Sequence, residues 1–224
     1  KRQLVPTATW GVLWGRVTDL TSGELLPGAT VQASPGLTTA LTREGGEYKM
    51  DLPAGIYTIT VSAPLHTPVV ETNVTVARGG FPERNYALPS PRVVLSPTAG
   101  LSVTLRVGER VTRVLHIGNT GSGPLTFTGT VPADRAWLGL APAAGMVAPG
   151  ASAAVSVTFD AAGTPTCPQP GLYPALLCFY TDDPTAQPCT SYPVTMTVRY
   201  TYGVALMPTA ATRSGPPGAR IAHT

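Results

Sequence analysis

Three cysteines are the residues of this chain whose spacing points most directly to a reaction. Cys167, Cys178 and Cys189 lie close together, and such a cluster is more typical of a local disulfide in an oxidising compartment than of three free thiols. Leu177 and Val194 follow the inward pattern of their strands, so Cys178 and Cys189 both point outward. The sequence predicts either a Cys178–Cys189 bridge or a Cys167–Cys189 bridge, with a stabilising role and one thiol left free.

The histidines and the adjacent acidic pair lack the spacing of a metal site. His66, His116 and His223 are isolated from one another and from the cysteines, which argues against zinc. Asp182 and Asp183 fall in a proline-containing turn and have no further oxygen ligands of the kind that calcium needs. We predict no metal and no cofactor.

A serine nucleophile is not indicated either. Residues 118–123 are rich in glycine and contain Ser122, but they do not have the Gly-x-Ser-x-Gly spacing, and no helical pattern follows them. We therefore predict that the protein is not an enzyme.

The amino-acid composition indicates which secondary structure carries these residues. The chain has 224 residues, 24 glycines, 24 prolines and only 12% charged residues, and no segment shows a convincing helical period. This composition favours short strands joined by tight turns, and the length of the chain is enough for two modest hydrophobic cores. We predict an all-β chain with two tandem β-sandwiches and an extended C-terminal tail.

Charge and hydropathy limit the partners of the chain. The net charge is +3, the arginines are scattered, and no aromatic residues alternate with them, so nucleic-acid binding is not expected. The chain contains no run of 18 apolar residues, so no transmembrane segment is predicted. The sequence begins with Lys1 and shows no signal-peptide pattern, so we expect a mature or excised segment.

The first half reads as seven short strands with turn residues between them. We predict strands at about 10–18, 29–34, 38–43, 47–51, 56–62, 69–77 and 82–88. The segments 15–19, 26–31, 46–48 and 52–61, with turns at Pro27-Gly28 and Pro53-Ala54-Gly55, resemble the carboxypeptidase regulatory-like domain. This resemblance implies a transthyretin-type sandwich that serves as a rigid spacer or interaction module.

The second half reads as another sandwich. We predict strands at about 92–96, 101–106, 111–118, 124–130, 136–140, 152–159, 172–181 and 190–199. The segments 117–121, 155–160, 171–173, 182–184 and 193–198 resemble the bacterial immunoglobulin-like repeats found beside secreted subtilisin-like proteases and in large surface proteins. The resemblance implies a secreted or cell-surface location. The segment 164–169 departs from the pattern of these repeats and leaves the role of Cys167 open.

The last residues restate the beginning of the second half. Residues 204–210 repeat 93–99, and residues 218–221 repeat 108–111. The predicted divisions are an N-terminal extension at 1–8, the first sandwich at 9–89, a linker at 90–91, the second sandwich at 92–200 and an incomplete repeat at 201–224.

Two surfaces are predicted to meet other chains or domains. Leu13 and Val17 fit the core pattern of the first strand, so Trp10, Val12 and Trp14 point outward and indicate a covered interface. In the tail, the interface candidates are Val204, Leu206, Arg220 and Ile221, because one or two strands cannot bury an apolar face alone.

We therefore predict a non-catalytic extracellular structural module, a subunit of a surface filament joined head to tail by a donated strand. Its partners would be further copies or neighbouring domains of a larger chain. The alternative is a set of spacer or substrate-docking modules excised from a large secreted subtilisin-like protease or multidomain adhesin. A third hypothesis, adhesion to carbohydrate or protein through Trp10 and Trp14, predicts binding that Trp14→Ala removes without loss of fold.

Overall fold

A computed structural model of the chain describes residues 9–162 and 169–200, and every regular element in those ranges is a β-strand. The tandem all-β sandwich architecture predicted from the sequence is confirmed. The strands of the first sandwich are β1 (Trp10–Asp19), β2 (Thr30–Ser34), β3 (Thr38–Leu41), β4 (Glu47–Pro53), β5 (Gly55–Ser62), β6 (Val69–Val76) and β7 (Tyr86–Leu88).

Two sheets enclose the core of the first sandwich. One has the order β4-β1-β7 and the other the order β3-β2-β5-β6. Inward and outward residues alternate along β4 and β5, as expected for strands with one buried face. The alternation buries Leu13, Leu52, Ile59 and Leu88 completely. The first and last strands, β1 and β7, pair in parallel.

The second sandwich has nine strands in the described residues. They are β8 (Val93–Ser96), β9 (Leu101–Arg106), β10 (Arg110–Asn119), β11 (Leu125–Thr130), β12 (Leu138–Ala141), β13 (Ala144–Val147), β14 (Ser152–Asp160), β15 (Gly171–Thr181) and β16 (Thr190–Arg199). One sheet has the order β12-β14-β10-β8, and the other has the order β13-β11-β15-β16-β9.

The core of the second sandwich is organised around Trp137. Its indole is 1% exposed and packs beside Phe159, with ring centroids 6.2 Å apart. Strand β9 pairs in parallel with β16, and β8 pairs antiparallel with the end of β10. Both β8 and β9 therefore lie at the edge of a sheet.

The two largest differences between the predicted and observed strands are at β13 and β7. The prediction missed β13, whose four residues show no apolar alternation and include Met146 at 69% exposure. The predicted strand at 82–88 is regular only at Tyr86–Leu88. The residues before it run beside β1 irregularly, where the Val12 and Trp14 amides donate to the Gly80 and Pro82 carbonyls.

In the described ranges, no helix has the length and apolar character needed to cross a membrane.

Candidate functional site

The outward face of β1 carries two exposed tryptophans. Trp10 is 52% exposed and Trp14 is 42% exposed, while Leu13 and Val17 on the opposite face are fully buried. Val12 is half-buried between the tryptophans. The structure thus places Trp10, Val12 and Trp14 on the outer surface of the sheet. Their role as an interface stays a prediction.

Trp14 lies in a groove of about 830 Å³ on this outer face. The groove is formed by β1, β4 and the segment that leads into β7. The Trp14 indole N–H donates to the Phe81 carbonyl oxygen at 3.3 Å, which fixes the ring and leaves its face available. The Phe81 side chain also lines the groove and is 68% exposed. Trp10 does not line it.

Charged side chains border the groove. Arg16 donates to the Glu47 carboxylate at 2.9 Å across the β1–β4 pair. Lys49 is the cross-strand neighbour of Trp14, and Arg43 also lines the groove. Within the described residues, neither Lys49 nor Arg43 forms an ion pair.

The Glu83 carboxylate and the Asn85 amide line the side of the groove next to β7. The Glu83 carboxylate accepts a hydrogen bond from the Asn85 side-chain amide at 2.9 Å, and both residues line the groove. The face therefore combines two aromatic surfaces with hydrogen-bond donors and acceptors around them.

The cysteines lie in the other sandwich, on the β15–β16 hairpin. Cys178 and Cys189 are joined by a disulfide with Cα atoms 5.8 Å apart. Cys178 is paired across the strands with Ser191, two residues beyond Cys189. The bridge thus ties the hairpin near its turn. Because Cys189 is bonded to Cys178, the rival Cys167–Cys189 bridge does not form; Cys167 itself lies outside the described residues.

Asp182 and Asp183 act as acceptors for backbone amides. Asp183 is 1% exposed, and its carboxylate accepts from the Val93 N–H at 2.8 Å and from the N–H and hydroxyl of Thr185. Asp182 accepts from the Thr126 N–H at 2.8 Å. Asp183 thus fixes the start of β8, and Asp182 binds the start of β11.

A buried Asp19–His66 pair lies at the end of β1. The Asp19 carboxylate meets His66 Nε2 at 2.9 Å, both side chains are about 5% exposed, and His66 Nδ1 is 2.7 Å from the Pro64 carbonyl oxygen. This pair was not predicted from the sequence, because its members are 47 residues apart in the chain.

Several neighbours act on the charge of Asp19. Burial favours its neutral form, but the Ser90 hydroxyl, the Ser22 N–H, His66 and the Thr21 N–H together hold the pKa of Asp19 below its ordinary value. The Ser90 hydroxyl does so by proximity, since it makes no hydrogen bond of standard geometry. Asp19 is thereby an anion that organises the turn after β1.

That turn contacts the segment between the two sandwiches. The Thr21 hydroxyl donates to the Ser90 carbonyl at 2.8 Å and lies 2.7 Å from the Ser122 hydroxyl. The Ser122 and Gly123 amides donate to the same Ser90 carbonyl, and the Thr67 amide donates to Pro89. Ser90 is fully buried. The connecting segment is thus hydrogen-bonded from both sides.

The described residues contain no group of three histidine, cysteine, aspartate or glutamate side chains placed to hold a metal ion. The tail candidates Val204, Leu206, Arg220 and Ile221 lie outside the described residues.

Comparisons with known proteins give partial matches. No curated protein matches the chain. PapD-like domain 7 of human CEP192 is similar at 15% identity over 49% of this chain and 87% of that one, with a TM-score of 0.38. A protein of unknown function from Porphyromonas gingivalis is similar at 16% identity over 84% and 99%, with a TM-score of 0.43.

A third solved structure, the Pseudomonas aeruginosa CupB2 chaperone, is similar at 17% identity over 47% of this chain and 55% of that one, with a TM-score of 0.35. The match to a family model is confined to the first sandwich. Residues 12–89, which include most of β1 and the whole groove, match the carboxypeptidase regulatory-like domain, as their turn motifs predicted.

Proposed function

We propose that this chain is a non-catalytic extracellular structural module, a subunit of a surface filament in which a tail strand of one copy completes a sheet of the next. The observation that carries the proposal is the repeat of residues 93–99 at 204–210. Residues 93–96 form β8, an edge strand that depends on β10 for its backbone partners.

The burial pattern of β8 indicates which surroundings its repeat at 204–206 would need. Leu95 is 8% exposed and lies opposite Ile117 of β10, whereas Val94 is 42% exposed. By the repeat, Leu206 corresponds to Leu95 and Ala205 to Val94. A strand at Val204–Leu206 therefore needs an apolar pocket and an open sheet edge to pair with.

Strand β9 is a suitable acceptor edge. It alternates buried and exposed residues over all six positions and pairs with β16 on one side only. The edge at β6 is less suitable, because Asn73 has a φ of 62° and the register shifts between Tyr57 and Ile59. We place the donated strand along β9 of the neighbouring copy.

The disulfide in the second sandwich is compatible with an oxidising, extracellular compartment. The alternative, that these are spacer modules of a larger secreted protein related to the subtilisin-like proteases or adhesins, is favoured by the hydrogen-bonded segment at Ser90. A fixed junction suits a module that holds other domains at a distance.

Two substitutions in the tail separate these functions. Leu206→Asp places a charge where a buried leucine is expected, while Ala205→Asp places the same charge on the outward side of the strand. We expect the purified chain to associate with increasing concentration in sedimentation velocity, Leu206→Asp to weaken association at least about tenfold, and Ala205→Asp to change it little.

A chain that stays monomeric at high concentration would contradict strand donation and favour the spacer function. Equal effects of the two substitutions would also contradict it, because one face of a donated strand should be buried and the other exposed.

A further inference from the structure

The groove at Trp14 has the chemistry of a binding site for a polyhydroxylated ligand. The ring of Trp14 and the ring of Phe81 offer apolar surfaces, and the indole N–H is already used by the Phe81 carbonyl. The C–H-rich face of a pyranose ring packs on such aromatic surfaces, while its hydroxyl groups point to the sides.

The rim of the groove suits those hydroxyl groups. Arg16 and Glu47 form a fixed pair at one end, and the Glu83–Asn85 hydrogen bond defines the other. A hydroxyl both donates and accepts, so a sugar can bind to these donors and acceptors without leaving either kind unsatisfied.

An apolar protein surface fits the groove less well. Covering the face with such a surface would bury Lys49, Arg43 and Glu83 without ion-pair partners, and burying unpaired charges is costly. A polysaccharide remains hydrated at its edges and avoids this cost.

Among the described residues that line the groove, the two unpaired cations outnumber Glu83, the one carboxylate without an ion-pair partner, and so favour an anionic ligand. Lys49 is the direct neighbour of Trp14 on β4, and Arg43 also lines the groove, so carboxylates on a sugar stacked at Trp14 meet positive charge. We propose that this groove binds a polysaccharide that carries carboxylates, a chain of uronic acids. The proposal is independent of strand donation.

Binding is tested by calorimetric titration of the full chain with oligogalacturonate, oligomannuronate and malto-oligosaccharide of equal length. We expect at least one of the two uronates to bind at least about tenfold more tightly than the neutral oligomer, with an affinity that falls as salt is added. Tryptophan fluorescence is expected to change with the same dissociation constant.

Four variants locate the site. Trp14→Ala and Phe81→Ala should each weaken uronate binding about tenfold, because each removes a stacking surface. Lys49→Gln should weaken it roughly twofold to fivefold and reduce its salt dependence. Trp10→Ala is the matched control, since Trp10 is exposed on the same strand but lies outside the groove; it should bind like the unchanged chain. Thermal unfolding of each variant checks that the sandwich is intact.

Three outcomes overturn the proposal. They are no binding of either uronate, equal binding of the neutral oligomer, and uronate binding that both Trp14→Ala and Phe81→Ala leave unchanged. Self-association of the chain that Trp14→Ala abolishes would also overturn it, because a second copy would then occupy the groove. None of these outcomes depends on the tail strand.

Discussion

Single carboxylates hold this structure together at points that are distant in the sequence. Asp183 binds the amide of Val93, 90 residues away, and Asp19 binds the turn that contacts Ser90. From the sequence, Asp182 and Asp183 were expected only to lie in a proline-containing turn and to bind no metal. The structure gives them backbone partners instead, which no local pattern could predict because the partners belong to other strands.

Removal of the Asp183 carboxylate is expected to destabilise the second sandwich. Asp183→Ala removes the buried carboxylate that accepts from the Val93 amide and the Thr185 hydroxyl, which should lower the free energy of unfolding by about 1–3 kcal/mol in urea titrations. Asp182→Ala is the control, because Asp182 is more exposed and binds only the Thr126 amide. Equal losses for the two variants would show that burial of Asp183 adds nothing.

Asp19 should make stability depend on pH in the acid range. Its folded-state pKa lies below the ordinary carboxyl value of 3.8, so its contribution is present above that value and is lost as pH falls through the folded-state pKa. We expect Asp19→Asn to be less stable than the unchanged chain at neutral pH, with the difference shrinking below pH 3.8. A difference that stays constant on acidification would contradict this role.

Strands were predicted well where buried and exposed residues alternate strictly. They were predicted poorly where packing against a neighbouring strand determines the backbone conformation. Strands β9, β14 and β16 have clear alternation, and their predicted ranges agree with the structure to within a residue. In β13, Gly145 allows close packing against the Phe127 ring, where a Cβ would come within 2.9 Å of the ring carbons. This contact, not the sequence pattern, explains why residues 144–147 can pair with β11.

The β15–β16 hairpin should depend on its disulfide. The bridge closes a short loop with a sequence separation of 11, so Cys189→Ser is expected to lower the free energy of unfolding by about 2–3 kcal/mol. A reducing agent should lower the stability of the unchanged chain by a similar amount. The double variant Cys178→Ser/Cys189→Ser keeps only Cys167 and should not respond to the reductant; a response would show that the effect does not come from this bridge.

At the scale of the whole molecule, the candidate site could be predicted only in part. The outward direction of Trp10, Val12 and Trp14 follows from alternation along one strand. The groove does not, because Phe81, Glu83 and Asn85 reach it from an irregular segment about 70 residues later.

The junction at Ser90 should behave as a fixed connection between the sandwiches. A Cβ at Gly121 would clash with the Ser90 carbonyl oxygen and the Arg92 nitrogen, so Gly121→Ala should displace the connecting segment at a cost of about 1–3 kcal/mol. We expect small-angle X-ray scattering to show a wider range of distances between the sandwiches in this variant. Gly118→Ala, whose Cβ would make ordinary contacts, should leave the scattering unchanged.

In each sandwich an early strand, β1 or β9, pairs in parallel with the last strand, and this pairing has a mechanical consequence. In the second sandwich, the chain enters β9 at Leu101 and leaves β16 at Arg199, and these residues lie at opposite ends of the parallel pair. Tension along the chain therefore pulls the two strands past each other and loads their hydrogen bonds together, in shear, instead of opening them one by one. The β1–β7 pair repeats this geometry in the first sandwich over three residue pairs. We expect each sandwich to resist stretching, and the longer β9–β16 pair to yield at the higher force in single-molecule pulling.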